Sequence, residues 1–92
     1  MMDASSRPRL APKARLRFDR KSSRYMLLYP ERGLVLNATA ADVLQLCTGD
    51  RTVSAIVEEL ARKYGHDAPL VEREVMGFLR GMADRGLVKA AM

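Results

Sequence analysis

The side chains that could perform chemistry in this chain are few and lie far apart in the sequence. His66 is the only histidine and Cys47 the only cysteine. A zinc site takes about four ligands, commonly from closely spaced Cys and His pairs, and neither residue has such a neighbour. Gly33, Gly49 and Gly65 stand singly, so the sequence contains no glycine-rich phosphate loop. The sequence therefore predicts no catalytic residue, no metal ligand and no cofactor.

The surroundings of His66 and Cys47 favour structural roles. Cys47 follows Val43 and Leu44 at helical spacing, so it lies on an apolar stripe, where cysteine acts as a small hydrophobic residue. His66 comes directly after Gly65 in a predicted turn between helices, which indicates a surface or capping role. The acidic residues of the helices are predicted to be caps or parts of solvated faces; they are Asp42, Glu58, Glu59, Glu72 and Glu74.

Two glycines in the third predicted helix depart from good helix chemistry. Gly77 and Gly81 are four residues apart, so they share a strip of the helix with Leu70 and Glu74, next to Phe78. Each glycine weakens a helix by about 1 kcal/mol relative to alanine. Two on one strip indicate that something approaches the helix backbone closely. Either the domain packs tightly there, or the strip borders a groove for another chain.

Short strands are predicted ahead of the helices. Residues 1–14 contain Pro8 and Pro12 among polar residues and have little to bury, so we expect them to form a flexible arm. Apolar Leu16 and Phe18 then alternate with polar residues, which is typical of a half-buried strand. Three strands are predicted, at residues 14–19, 25–29 and 34–36.

Three amphipathic helices follow the strands. The first is predicted to begin at Asn37 or Thr39 and to end at residues 48–50. The second is predicted to run from a cap at Thr52 to Gly65, and the third from a cap at Asp67 to Gly86. Leu87 and Val88 are expected to add a short closing segment. A small sheet and three helices must bury their apolar faces against one another. The fold class predicted for residues 15–92 is α+β: a small winged helix-turn-helix in which a three-stranded antiparallel sheet is followed by three helices.

The whole chain has a formal net charge of +5, and its positive charge is concentrated in the first third. Residues 1–32 hold nine Lys or Arg and three Asp or Glu, which gives +6. Residues 33–92 hold seven Lys or Arg and eight Asp or Glu, which gives −1. A basic region of this kind is either a solvated face or a surface that attracts an acidic peptide, protein or nucleic acid.

The cysteine content and the hydropathy pattern bear on location. One cysteine cannot form an intramolecular disulfide, which favours a reducing compartment. The sequence has neither an apolar stretch of signal-peptide length nor a run that could span a membrane. We therefore expect a cytoplasmic, soluble protein with no membrane partner.

Several stretches of the chain together form a distinctive pattern. They are residues 33–41 (GLVLNATAA), Leu44, residues 47–53 (CTGDRTV) and residues 56–60 (IVEEL), with an opening at residues 7–19 (RPRLAPKARLRFD). In this order and at these spacings they resemble the PqqD family, which acts in the biosynthesis of pyrroloquinoline quinone (PQQ). The resemblance covers nearly the whole chain.

The resemblance implies a peptide chaperone and not an enzyme. PqqD-like domains bind the ribosomal precursor peptide PqqA and present it to the radical SAM enzyme PqqE, which crosslinks a glutamate and a tyrosine of the peptide. In such systems the leader peptide usually adds as a strand beside the third β-strand, in a groove bordered by the third helix. An open sheet edge can accept a strand because its N–H and C=O groups are unpaired.

The resemblance assigns elements, and we place individual residues on them as a hypothesis. The predicted edge is residues 34–37, and the third helix forms the opposite wall. The predicted peptide-binding residues are Leu34, Val35, Leu36, Asn37, Leu70, Arg73, Glu74, Gly77, Phe78 and Gly81. Arg80 and Arg85 join Arg73 as side chains that could meet peptide carboxylates at the rim.

Two other functions fit a domain of this class. A winged helix can bind DNA, but its recognition helix should be basic, and residues 69–86 hold three arginines against three carboxylates. The chain could also be a structural subunit of the modifying enzyme that never touches the peptide. We expect no nucleic-acid partner. Both a monomer and a homodimer stay open, because an exposed sheet edge can pair with itself.

Overall fold

Two small antiparallel sheets and three helices make up the fold. The computed structural model describes residues 2–30 and 32–91. In chain order the elements are β1 (Arg7–Leu10), β2 (Arg15–Asp19), β3 (Arg24–Tyr29), β4 (Arg32–Val35), α1 (Ala38–Gln45), α2 (Val53–Tyr64), α3 (Ala68–Asp84) and β5 (Val88–Ala91). The predicted α+β class, with a three-stranded antiparallel sheet and three helices after it, is confirmed. Met1, in the predicted arm, and Glu31 and Met92, in the predicted domain, lie outside the described residues.

The three-stranded sheet has the order β2-β3-β4, so β3 is central and β4 is an edge. Leu16, Leu27 and Leu34 face one another across the three strands. Leu27 is 0% exposed, and the other two pack against the same core, which includes residues of all three helices. Because side chains alternate along a strand, this row defines the inner face of the sheet. The helices cover that face, and none of those described is long and apolar enough to cross a membrane.

The third strand of this sheet begins earlier than predicted. β4 starts at Arg32, which pairs with Tyr29, and Gly33 pairs with Leu28. Leu36 lies just beyond the strand, although its amide still donates to the Tyr25 carbonyl at 2.9 Å. The sequence pattern missed this start because cross-strand pairing, and not local propensity, extends the strand through a glycine.

Capping groups set the helix boundaries. Asn37, and not Thr39, caps α1: its side-chain oxygen accepts from a first-turn amide at 2.8 Å. Thr52 caps α2 in the same way at 3.1 Å, as predicted. Gly65 ends α2 with a φ of 66°, a left-handed conformation that glycine adopts without strain. Asp67 occupies the cap position of α3 but makes no side-chain hydrogen bond there.

The N-terminal segment differs from the predicted flexible arm. β1 pairs with β5 at the far end of the chain, and Pro8 within it is buried. The carbonyls of Ser6 and Ala4 accept from the amides of Val53 and Ser54 at 2.9 and 3.0 Å. These are amides of the first turn of α2, which have no partner inside the helix. The segment therefore completes the start of α2 as well as the second sheet.

Cys47 has the structural role that its position on the apolar stripe predicted. The residue is buried, and its thiol donates to the Val43 carbonyl at 3.2 Å. Burial raises the pKa of the Cys47 thiol to about 12. The thiol therefore stays protonated at neutral pH, unlike a reactive cysteine.

Deletion of residues 2–10 tests whether the N-terminal segment is structural. We expect the free energy of unfolding to fall by at least about 3 kcal/mol, because the deletion removes two acceptors of α2 and the partner of β5 and exposes Val88. Urea denaturation measures this change. Arg9→Gln alters only an exposed β1 side chain and should change stability by less than about 0.5 kcal/mol. An unchanged urea midpoint after the deletion would support a mobile arm instead.

Candidate binding groove

One side of β4 is an open sheet edge. The strand pairs with β3, with Leu34 opposite Leu27 and Val35 opposite Met26. Within residues 2–30 and 32–91, no strand pairs with its other side. Val35 on this strand is 55% exposed. The edge is thus available to another strand.

The ladder determines which main-chain groups point to the open side. The Leu36 amide donates to β3, so the polar groups of this residue point inward. Because this direction alternates along an antiparallel strand, the groups of Leu34 also point towards β3. Those of Gly33 and Val35 point outward. An added strand would pair with these two residues.

A groove of about 610 Å³ lies between α1, the second half of α2 and α3, next to the end of β4. Its apolar lining includes Val43, Leu60, Leu70, Val71, Val75 and Phe78. Polar side chains of the same groove are Asn37, Thr39, Tyr64, His66 and Glu74. Leu70 is 44% exposed, so part of the apolar lining is in contact with solvent. An apolar floor with a few polar groups at the rim suits an apolar side chain of a ligand.

Helix α3 comes near both ends of β4. At one end, Leu70 lines the same groove as Asn37, which follows β4 closely. At the other end, Arg85 follows α3 and donates to the Tyr29 hydroxyl at 3.0 Å. Tyr29 pairs with Arg32 at the start of β4. The two ends of α3 therefore lie near the two ends of β4, and the helix and the strand have opposite chain directions.

The structure brings together part of the residue set predicted from the sequence. Asn37, Leu70, Glu74 and Phe78 line one groove. On the edge, Leu34 packs against the core and Leu36 is buried, which leaves Val35 as the exposed side chain among residues 34–36. The strand therefore offers mainly its backbone, and the helices offer the side chains.

Other predicted residues lie on the opposite flank of α3. Arg73 and Gly77 line a second depression together with Arg80 and Asp3 of the N-terminal segment. Arg80 also donates to the Met2 carbonyl at 3.4 Å. Gly77, which the sequence places on one strip with Leu70 and Glu74, and the predicted rim residue Arg73 thus lie away from the groove, because of the way in which α3 docks.

Gly77 and Gly81 are open to solvent on the ridge of α3. No atom lies within 4 Å of the position that a Cβ would take on either residue, apart from the helix's own backbone and chain neighbours. Close packing among the described residues is therefore not the reason for these glycines, and that alternative is wrong. The other alternative, that another chain approaches α3 at these glycines, stays a prediction.

Asp42 and Tyr64 form a polar contact at the groove that the sequence did not reveal. The Tyr64 hydroxyl donates to Asp42, whose carboxylate also lies 3.1 Å from the Lys63 ammonium. The sequence predicts that Asp42 is a cap or part of a solvated face. That prediction is wrong, because the Asp42 side chain is only 19% exposed and binds side chains of α2. Burial, together with the hydrogen bond and the charge of Asp42, raises the pKa of Tyr64 to about 12. This contact ties the end of α2 to α1 beside the groove.

Comparison with known proteins identifies the family. A family model described as coenzyme PQQ synthesis protein D (PqqD) matches residues 24–88. The chain belongs to the PqqD family. The matched range begins at β3 and ends at the start of β5, so it contains the β4 edge, the groove and all three helices.

Relatives match nearly the whole chain. The PqqA binding protein of Rhodopseudomonas palustris strain BisB5 is 42% identical over 87 residues, which are 95% of this chain and 85% of that protein. The bifunctional coenzyme PQQ synthesis protein C/D of Methylorubrum extorquens strain AM1 is 37% identical over 82 residues. These cover 89% of this chain but 22% of that protein, in which the PqqD part is therefore one portion of a longer chain.

Two solved PqqD structures share the fold. The solution structure of the PqqD truncation of Methylobacterium extorquens PqqCD matches with a TM-score of 0.83 and 35% identity, covering 97% of this chain and 95% of that one. That truncation is a functional, stand-alone recognition element for ribosomally synthesised and post-translationally modified peptides. PqqD from Xanthomonas campestris matches with a TM-score of 0.60 and 28% identity, covering 97% and 99%.

Alanine substitutions test whether the ridge of α3 is open. Gly77→Ala and Gly81→Ala should each raise the free energy of unfolding by up to about 1 kcal/mol, because a Cβ meets no neighbour and alanine favours the helix. Gly65→Ala is the control and should lower it by roughly 1 kcal/mol, because its φ of 66° is strained for alanine. Urea denaturation gives all three values. A loss of stability in either ridge variant would mean that the ridge is packed.

Alkaline titration tests the contact between Asp42 and Tyr64. Since the pKa of Tyr64 is raised from about 10 to about 12, the stability that its neutral phenol contributes is present below about pH 10 and is lost as the pH rises through about 12. Asp42→Asn should lower the pKa of Tyr64, and phenolate absorbance follows it, with Tyr64→Phe to assign the transition. An unchanged titration in Asp42→Asn would contradict the contact.

Proposed function

We propose that this chain is a non-catalytic chaperone that binds the ribosomal precursor peptide PqqA and presents it to the radical SAM enzyme PqqE in PQQ biosynthesis. Membership in the PqqD family and relatives that are PqqA binding proteins support the pathway and the peptide. One structural observation supports the binding mode: β4 has an unpaired edge and leads into Asn37, which lines the groove beside α3. We also assign the strands and helices to the winged helix-turn-helix class.

Main-chain pairing supplies the affinity in this proposal. Gly33 and Val35 each direct one N–H and one C=O to the open side, which makes four pairing groups. Each completed hydrogen bond contributes about 1 kcal/mol net. An extended peptide satisfies these groups whatever its side chains are.

Side-chain recognition comes from the groove. Alternate residues of an added strand point to opposite faces, so one set points towards α3. An apolar residue of the peptide fits against Leu70 and Phe78. Glu74 at the rim favours a basic or hydrogen-bond-donating neighbour in the peptide. Asn37 and the hydroxyl-bearing residues of the groove provide further polar contacts.

Presentation without catalysis agrees with the chemistry of the described residues. Cys47 is buried and held as a thiol, and His66 is an exposed residue at the groove. The edge is only four residues long, so most of an extended peptide stays outside it. The enzyme would act on that free part while the chaperone holds the rest.

Calorimetric titration of the full chain with synthetic PqqA tests strand addition. Val35→Pro removes the outward N–H and places a ring at the edge, while the ladder to β3 keeps the bonds of Leu34 and Leu36. We expect the affinity for PqqA to fall at least about tenfold, which corresponds to about 1.4 kcal/mol.

Val35→Thr is the matched control, because it keeps the N–H and nearly the same shape. Its affinity should stay within about threefold of that of the unsubstituted chain. Amide spectra of both variants establish that the fold is retained. Equal affinities of Val35→Pro and the unsubstituted chain would rule out pairing at β4. Failure of the unsubstituted chain to bind PqqA would reject the chaperone function for the isolated chain.

A further inference from the structure

The face of the three-stranded sheet that points away from the helices is exposed. Arg17, Met26 and Val35 face one another across β2, β3 and β4, one position along from the buried inner row. Their side chains therefore point in the opposite direction. We call this surface the outer face; the residues that matter for it are Arg15, Arg17, Arg24, Met26, Leu28 and Val35.

The apolar residues of the outer face form a surface of their own. Met26 and Leu28 are half-buried, yet neither packs against the hydrophobic core of the described chain. Met26 Cε and Leu28 Cδ2 instead lie 3.2 and 3.1 Å from the position that a Cβ would take on Gly33. The two side chains thus lean over this glycine. Together with exposed Val35 they make a continuous apolar area over β3 and β4.

Positive charge borders this apolar area along β2 and at the start of β3. Arg15, Arg17 and Arg24 are exposed, and none of them forms an ion pair with another described residue. Asp19, opposite Arg24 in the ladder, is the one carboxylate of β2 and β3, and it accepts a hydrogen bond from Ser22 at 2.8 Å. Three arginines against one carboxylate leave the border positive. A matching surface must therefore carry negative charge.

The composition of the outer face favours a folded protein as its partner. Methionine and arginine are enriched at protein–protein interfaces, where an apolar centre has a polar rim. Nucleic acid would neutralise the arginines but leave the apolar area over Met26 and Leu28 uncovered. A second copy of this chain would bring to the contact the same three arginines and a single Asp19. Neither matches the face as well as an acidic protein surface does.

We propose that the outer face docks a folded protein whose contact surface places carboxylates beside an apolar patch, and that this protein is the enzyme that modifies the bound peptide. The second part rests on the proposed function. Val35 links the two surfaces, since it lies on both the outer face and the open edge. A strand added at β4 would extend the outer face, so the enzyme would contact the chaperone and the peptide side by side.

Binding of purified PqqE to the full chain tests the outer face. The double variant Arg15→Glu/Arg17→Glu should bind PqqE at least about tenfold more weakly, because two attractions become repulsions. Its affinity for PqqA should stay within about threefold, because β2 is two strands away from the open edge. Met26→Gln, which removes apolar area without changing charge, should also weaken PqqE binding. Biolayer interferometry at two salt concentrations measures both binding events.

The β1–β5 ribbon offers a control of equal charge. Arg9 and Lys89 lie directly opposite each other, and both are exposed. Arg9→Glu/Lys89→Glu changes the net charge by the same amount as the outer-face variant and replaces one like-charge pair by another. This control should bind PqqE as the unsubstituted chain does, if position and not net charge matters.

The outcomes separate this inference from the proposed function. Full PqqE affinity in the Arg15→Glu/Arg17→Glu variant, or an equal loss in the ribbon control, would overturn the outer-face assignment and leave the chaperone function intact. A requirement for Arg15 and Arg17 in binding of generic duplex DNA, with PqqE binding unaffected, would assign the face to nucleic acid instead. Absence of PqqE binding by the unsubstituted chain would overturn both the presentation step and the docking face.

Discussion

Burial of one face of a three-stranded sheet is the constraint on which the rest of this structure depends. Leu27 lies on the central strand, fully buried between Leu16 and Leu34, and packs into the helical core. Three short strands are not stable in water without such cover. Within the part of the chain that the structure describes, the helices cover one face, and β4 has a strand partner on one side. The open edge and the outer face are therefore direct results of building so small a sheet.

The elements that could be predicted from the sequence are those with local signals. The alternation of Leu16 and Phe18, the cap at Thr52 and the terminator at Gly65 each act within a few residues. β1 has no such signal, because its partner β5 lies at the other end of the chain. From the sequence alone, a proline such as Pro8 predicts the interruption of a strand. In the structure Pro8 lies within β1, where it is buried and its carbonyl accepts a hydrogen bond from the Gly49 amide at 2.9 Å.

The candidate site was predictable in outline for a similar reason. Helical periodicity places Leu70, Glu74 and Phe78 on a shared face, and the structure sets all three on the groove. Periodicity does not say which part of a face meets a neighbouring element. That depends on how α3 docks, and Arg73 falls on the far flank as a result. The contact between Tyr64 and Asp42 escaped prediction because it joins two helices through side-chain positions that no sequence pattern encodes.

The proposed function requires both recognition and presentation of a peptide, and this fold would separate the two by direction. Pairing at β4 would act in the plane of the sheet, whereas the groove lies on the inner side and the arginines of β2 lie on the outer side. A peptide strand added at the edge would have side chains on both faces. It would thereby add contact area for a protein docked on the outer face. By thermodynamic linkage, any gain in enzyme affinity caused by the peptide equals the gain in peptide affinity caused by the enzyme. Under the proposed function, binding of the peptide and binding of the enzyme would then be a single coupled equilibrium.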